Sequence, residues 1–389
     1  LRISRRPRSL ALLLGTSLLV GACASGRDPA RSDRRSAPPT TAPAASPGST
    51  SRPTPVSAPP AFTVTGDRSG FAHGFELVRR EGPEAVAADL DLMASTGARW
   101  LRAGLSWGSI ETRPGVYDWA GTDRVVLGAR ARGLSVVAVV SSAPRWAAQP
   151  GCRSNECAPR DAAAYAAFLR VAVARYLPAG VHHWEIWNEP NHAAFWGPRA
   201  DAGAYAAVLA AAYPAIHALD PEAVVLSGGL APGGDTGGDI APITFLRRLY
   251  QLGGGAHLDA VAHHPYHYPA PPDAIVPTNA FLQTLRLHQV MVEFGDGAKQ
   301  IWGTEVGAPT RGAGQVSEAD QARWVRLYYA GWNGWAFTGP LLWYTARDRG
   351  TADDAEDAFG LVRYDRSPKP ALAAFEEMVQ RSGPAPPPG

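Results

Sequence analysis

The stretch His182-His183-Trp184-Glu185-Ile186-Trp187-Asn188-Glu189-Pro190-Asn191 decides how this chain is read. It opens as an apolar and aromatic run of strand length, and Pro190, which has no N–H to give to a ladder, stops it abruptly. Glu189 therefore stands at the carboxyl end of a strand. A second run, Ile301-Trp302-Gly303-Thr304-Glu305-Val306-Gly307, ends the same way and sets Glu305 in the equivalent place. Two surface or ion-paired glutamates would give this pattern only if two apolar strands ended in matching acids by coincidence.

Working outward, the chain from Phe62 onward alternates short β-branched or apolar runs with longer alanine-rich segments of helical period, the pattern of repeated βα units. Strands are read at 70–74, 100–105, 134–140, 182–187, 223–229, 258–264, 300–304 and 339–344. Helices follow them at 83–96, 122–132, 161–176, 201–219, 242–252, 278–294, 317–335 and 370–381. Pro83 suits a first helical turn, and Gly97 and Gly133 suit helix exits. In the third helix Tyr165, Phe168, Leu169, Ala172, Val173 and Tyr176 fall on one face, the stripe a helix needs to lie on a barrel. Ser317 is placed to cap the seventh helix, with Glu318 and Asp320 near its positive end.

Eight such pairs fit an α/β fold of the (β/α)8 TIM-barrel type, one catalytic domain over residues 62–381, better than an open doubly wound sheet. No G-x-G-x-x-G or G-x-x-x-x-G-K motif follows a strand. The glycine-rich residues 228–238 lack the lysine of a phosphate cradle and read as a flexible strand-to-helix loop. In a barrel, the fourth and seventh strands bring Glu189 and Glu305 to opposite sides of one mouth, the end where barrel enzymes keep their chemistry.

Charge is unevenly spread. Residues 1–61 hold nine arginines against Asp28 and Asp33, so with a net charge of +2 overall the remainder is mildly acidic, a poor match to nucleic acid. Residues 1–23 read as an export signal: basic Arg2 to Arg8, an apolar run from Leu10 to Val20, then small residues. Leu18-Leu19-Val20-Gly21-Ala22-Cys23 resembles a bacterial lipoprotein box, which implies a lipid on Cys23 and a membrane-anchored, extracytoplasmic protein; an ordinary secretory signal is the alternative. Residues 24–61, rich in Pro, Ser, Ala and Thr, cannot bury enough surface to order themselves and read as a disordered tether, as do residues 382–389 as a tail. Of the three cysteines, Cys23 is the odd one; Cys152 and Cys157 remain as a close pair expected to form a local disulfide. A metal site there is not expected, since residues 151–159 add only Glu156.

Asn188-Glu189-Pro190 after the fourth strand, together with Thr304-Glu305 after the seventh, resembles the clan A glycoside hydrolases, families 39 and 5 among them, over roughly residues 71–375. The resemblance implies Glu189 as general acid/base and Glu305 as nucleophile of a retaining glycosidase. The chemistry agrees: a glycosidic oxygen leaves poorly unless protonated, the oxocarbenium-like centre needs a carboxylate opposite, and retention needs the carboxyls only ~5–5.5 Å apart.

By the same resemblance Arg102, in Trp100-Leu101-Arg102-Ala103-Gly104, keeps the nucleophile ionised, and Asn188 bonds a sugar 2-hydroxyl. His264 and Tyr266, in Ala262-His263-His264-Pro265-Tyr266, orient nucleophile and sugar; His263, of opposite parity, reads as a packed or loop-facing histidine. Trp343, in Leu341-Leu342-Trp343-Tyr344, floors the sugar subsite. Trp107, Trp146, Trp196 and Tyr268 lie in loops after strands and are either subsite walls or core. Glu185 shares parity with Glu189 and is expected to be a structural carboxylate paired with Arg102. Gly360-Leu361-Val362 and Ser367-Pro368-Lys369-Pro370 resemble the family's closing segment, and no accessory module is expected after the eighth helix.

The activity implied is double-displacement hydrolysis of O-glycosidic bonds in a cell-envelope or extracellular polysaccharide, with no cofactor and no metal. A catalytically silent carbohydrate-binding surface protein and a transglycosylase using the same cleft are the alternatives.

Overall fold

Eight short parallel strands pair in chain order and close on one another: β1 (Ser69–Ala72), β2 (Trp100–Ser106), β3 (Ser135–Ser141), β4 (His183–Asn188), β5 (Val224–Gly229), β6 (Ala260–His263), β7 (Gln300–Val306) and β8 (Thr338–Trp343). β1 meets β8 with Phe71 opposite Trp343. Helices follow the strands one by one: α1 (Pro83–Ser95), α2 (Ala120–Ala131), α3 (Ala162–Tyr176), α4 (Ala202–His217), α5 (Pro242–Gln251), α6 (Ala280–Glu293), α7 (Glu318–Asn333) and α8 (Pro370–Arg381). The fold is the (β/α)8 barrel that the repeated units predict. The structure, a computed structural model, describes residues 68–381 except 74, 76, 79–81, 153 and 155. The export signal with Cys23, the tether and the tail lie outside the described residues.

Parallel strands covered on both faces read apolar throughout, and β3, Ser-Val-Val-Ala-Val-Val-Ser, is buried at every residue but its first. Alternate residues then serve two cores. Ala72, Val137, Leu226, Ala262 and Leu342 point inward and fill the barrel with Trp100 and Trp302. Leu101, Val136, Val225, Val261, Ile301 and Leu341 point outward under the helices. The stripe of α3 is buried in full, each large side chain contributing about 1.5–3 kcal/mol. The tyrosine hydroxyls of α3 and α4 add direction to this packing. Tyr165 donates to the Val140 carbonyl and Tyr205 to the Ile186 carbonyl, both at 2.7 Å, which ties the helices to the carboxyl ends of β3 and β4.

Helix starts are capped by side chains where the sequence has the residues for it: Asp161, Asp201 and Ser317 accept backbone N–H groups of α3, α4 and α7. β6 is shorter than the run at 258–264. Asp259 donates its own N–H to the Val225 carbonyl (2.7 Å) and turns its carboxylate to the Val225 N–H (2.8 Å) and the Tyr213 hydroxyl (2.9 Å), so a side chain supplies one of the two bonds there. Cys152 and Cys157 are joined by a disulfide with Cα atoms 5.8 Å apart, in the loop between β3 and α3. That loop lies against the one after β4, with the Gly197 N–H donating to the Glu156 carbonyl at 3.2 Å.

Candidate active site

Glu185 is fully buried inside the barrel, which places a charge where an unpaired one would cost several kcal/mol. Arg102 of β2, itself 3% exposed, meets it with two bonds, Nε to Oε2 at 2.7 Å and Nη2 to Oε1 at 2.9 Å. The Gly229 N–H adds a third donor at 2.9 Å. The same guanidinium donates through Nη1 to Glu305 and through Nη2 to Asn188 Oδ1 at 2.7 Å. One buried cation thus fixes three groups at the mouth and links β2, β4 and β7.

The end of β4 departs from simple alternation. Trp187 and Glu189 adopt positive φ, 76° and 44°, conformations that cost of order 1–3 kcal/mol each outside glycine and persist only where neighbours hold them. Trp187 swings outward among Tyr165 and Trp196, with its indole N–H on the Phe195 carbonyl at 2.7 Å. Asn188 takes the inward place beside Arg102. Past the turn, Asn191 is buried and bonds the Ala231 N–H (2.8 Å), the Ala231 carbonyl (2.9 Å) and the Ile240 carbonyl (3.0 Å). These bonds hold Glu189 over the mouth.

Glu305, at the end of β7, accepts from the Tyr266 hydroxyl at 2.9 Å as well as from Arg102. His264, fully buried, lies between the two acids, with Nδ1 2.9 Å from Glu189 Oε1 and 3.7 Å from Glu305 Oε2. One oxygen each of Glu189 and Glu305 and one nitrogen of His264 all fall within 4.8 Å of one another. Burial pushes the Glu305 carboxyl up, but His264, Arg102 and the Tyr266 hydrogen bond outweigh it, and the net shift is downward. Glu305 is therefore held as a carboxylate. These three residues are also the group that could hold a metal ion among the described residues, but Arg102 already supplies the positive charge a metal would bring to Glu305.

Arg102, Asn188, Glu189, His264, Tyr266 and Glu305 are thus brought together, and Glu185 joins them from below. His263 packs away from the mouth, fully buried with Nδ1 3.2 Å from the Thr284 hydroxyl. Trp343 is not brought to the cleft, which corrects the expectation that it floors a subsite. Strand parity gives the reason: Leu342 lines the barrel interior with Tyr344 against it, so Trp343 faces outward, fully buried beside Tyr328, its indole N–H on the Phe359 carbonyl at 3.2 Å. Tyr344 takes the inward place. Trp107 and Trp196 are core residues, while Trp146 and Tyr268 are half-buried in their loops.

Sequence reasoning missed Tyr344 and the pair beyond it. The Tyr344 ring stands 6.4 Å from that of Tyr266, and its hydroxyl donates to Glu356 Oε2 at 3.0 Å, where Arg349 also donates at 2.8 Å. Although its side chain is 55% exposed, Glu356 loses part of its hydration, which raises its carboxyl; Arg349 and Tyr344 pull it down, and the charge on Glu305 adds a push upward, so the net shift is upward. No motif marks this residue. Asn191, by contrast, stood next to the motif.

No protein-family model matches this sequence, and no curated protein matches it. Among solved structures it is similar to a family 39 glycoside hydrolase from the gut symbiont Bacteroides cellulosilyticus WH2, with a TM-score of 0.65 and 23% identity over 81% of this chain and 63% of that one. It is similar to the GH39 enzyme from Xanthomonas axonopodis pv. citri, with a TM-score of 0.62 and 20% identity over 80% of this chain and 65% of that one. A GH5 protein from Streptomyces cattleya in complex with Manb1-4GlcNAc gives a TM-score of 0.63 and 18% identity over 82% of each chain. The chain spans less than two thirds of the length of the first two. At these identities the likeness establishes the barrel fold.

Proposed function

We propose that the chain is a retaining glycoside hydrolase in which Glu305 is the nucleophile and Glu189 the general acid/base. The observation that carries this reading is the pair itself: carboxylates from β4 and β7, with oxygens within 4.8 Å across one mouth and unlike partners. That separation suits the short spacing of a double displacement and leaves no room for the water an inverting enzyme places between its acids.

In the first step Glu305 attacks the anomeric carbon while Glu189 gives its proton to the departing glycosidic oxygen, so the glycosidic bond breaks as a glycosyl ester forms. In the second, Glu189 takes a proton from water, whose oxygen attacks the same carbon and releases Glu305. Arg102 and Tyr266 keep Glu305 charged and aimed, and Asn188, held beside them by Arg102, is the residue assigned to bond the sugar 2-hydroxyl. Mass spectrometry after incubation with a panel of activated 2-deoxy-2-fluoro glycosides, β-mannosides and β-xylosides included, is expected to find the label on Glu305. A panel with neither labelling nor turnover would sink the reading.

The substrate proposed is a cell-envelope or extracellular polysaccharide, reached from a lipid anchor on Cys23. Replacing Cys23 with Ala is expected to shift the protein from the membrane fraction to the soluble one; no shift would remove the anchor from the proposal.

A further inference from the structure

Gly228 and Gly229 end the strand read at 223–229 and also open the glycine-rich segment 228–238; both belong to β5 and are buried. Gly229 does not need a left-handed φ; it needs room. A Cβ built on it would lie 2.1 Å from His264 Nε2, 2.4 Å from His264 Cδ2 and 2.7 Å from the Thr304 hydroxyl oxygen. His264 is fully buried, so it has no solvent to swing into. A methyl there presses on the Nε2 edge of the ring, opposite the nitrogen that faces both acids.

The ring's protonation follows from the same contact. Nε2 is buried against Gly229 with no hydrogen-bond partner among the described residues, whereas Nδ1 faces the Glu189 carboxylate at 2.9 Å. A buried N–H without an acceptor is costly, so Nδ1 rather than Nε2 is the nitrogen that presents a proton to the site. Gly229 touches the other half of the site too. Its N–H holds Glu185, which holds Arg102, which holds Glu305.

We propose that Gly229 is a positioning residue: the missing side chain at the end of β5 is what seats the His264 imidazole, Nδ1 foremost, between Glu189 and Glu305. Its kinetic consequence rests on the glycosidase reading, while its structural consequence does not.

The test is a cycle of Gly229→Ala and His264→Ala, singly and together. Gly234→Ala serves as control, since Gly234 lies in the same segment and a Cβ there meets nothing within 4 Å. Gly229→Ala is expected to lower kcat about 100-fold, the loss an ångström-scale misplacement brings, with KM little changed. It is also expected to lower the melting temperature more than Gly234→Ala does. Both losses shrink in the His264→Ala background, where the new methyl enters the space the ring has left. Equal losses with and without the imidazole would overturn the proposal. Should Gly229→Ala fail to fold, the double variant is expected to fold, and its failure would overturn the proposal as well. If the wild-type protein turns over no glycoside, the glycosidase reading falls and the melting-temperature cycle alone decides the role of Gly229.

Discussion

At the amino-terminal end of the barrel Trp100, Trp302 and His183 pack ring against ring, Trp100 edge-on to Trp302 at 5.0 Å and to His183 at 4.7 Å. Further toward the carboxyl end the same strands carry Arg102 and Glu185 inside the barrel and Glu305 at the mouth, a buried cation shared between two acids. The floor gains by removing apolar surface from water, and it is best able to accept substitutions that keep its volume. The mouth gains little from burying its charges and loses heavily when one partner is taken away. Stability and chemistry are therefore assigned to opposite ends of one tube, and substitutions should separate them.

The largest effect belongs to Glu305→Gln, which should reduce kcat on the order of 10⁴-fold or more; Arg102 keeps Glu185, so the melting temperature should fall less than with Arg102→Met. Glu189→Gln should cost about 10²–10⁴-fold in rate, most for substrates with poor leaving groups and least for activated aryl glycosides. Equal losses across leaving groups would break the acid/base assignment. Arg102→Met should destabilise the fold by about 3–5 kcal/mol in a denaturant titration, because Glu185 and Glu305 are left without their cation, and should abolish turnover too. Trp302→Ala should cost a similar 3–5 kcal/mol by cavity formation, yet leave kcat unchanged below the melting transition. A floor variant that lost activity while folded would end the division proposed here.

The smallest effect is one of pH. Burial, with His182 and Arg130 adding to it against Asp220, holds the His183 imidazole down at about 4. The unfolded chain, with histidine near 6.5, takes up the proton first, so stability declines as pH falls from about 6.5 toward 4. His183→Phe should flatten that slope in melting temperature against pH without removing it, since His73 (about 4) and His263 (about 3) carry the same sign. Glu305 acts lower on the scale: its downward shift contributes stability that is present above the ordinary carboxylate range and lost as pH falls through its folded value.

The eight βα units were legible because each strand and helix carries its own period, and the paired glutamates because Pro190 and the ends of two apolar runs mark them locally. What escaped is what depends on three dimensions. Counting parity along β4 would aim Trp187 inward, but its positive φ reverses it, a choice fixed by the pocket of Tyr165 and Trp196. Trp343 was placed by likeness, whereas its neighbours across the ladder, Phe71 and Val306, face the outer core and take it with them. Glu356 sits in a single 3-10 turn (Ala355–Asp357) too short to show a period, and Gly229 is defined by a ring 35 residues further along the chain.

Asn191 has a bearing on how this protein could be altered. Because it grips the chain at both Ala231 and Ile240, the surface loop between those points is a closed handle whose two roots are fastened independently of its length. Residues 233–238 at its crest are exposed. Tags, surface linkages or inserted binding modules attached at that crest should leave the acid/base undisturbed, giving a natural point for coupling the barrel to a support or to another protein.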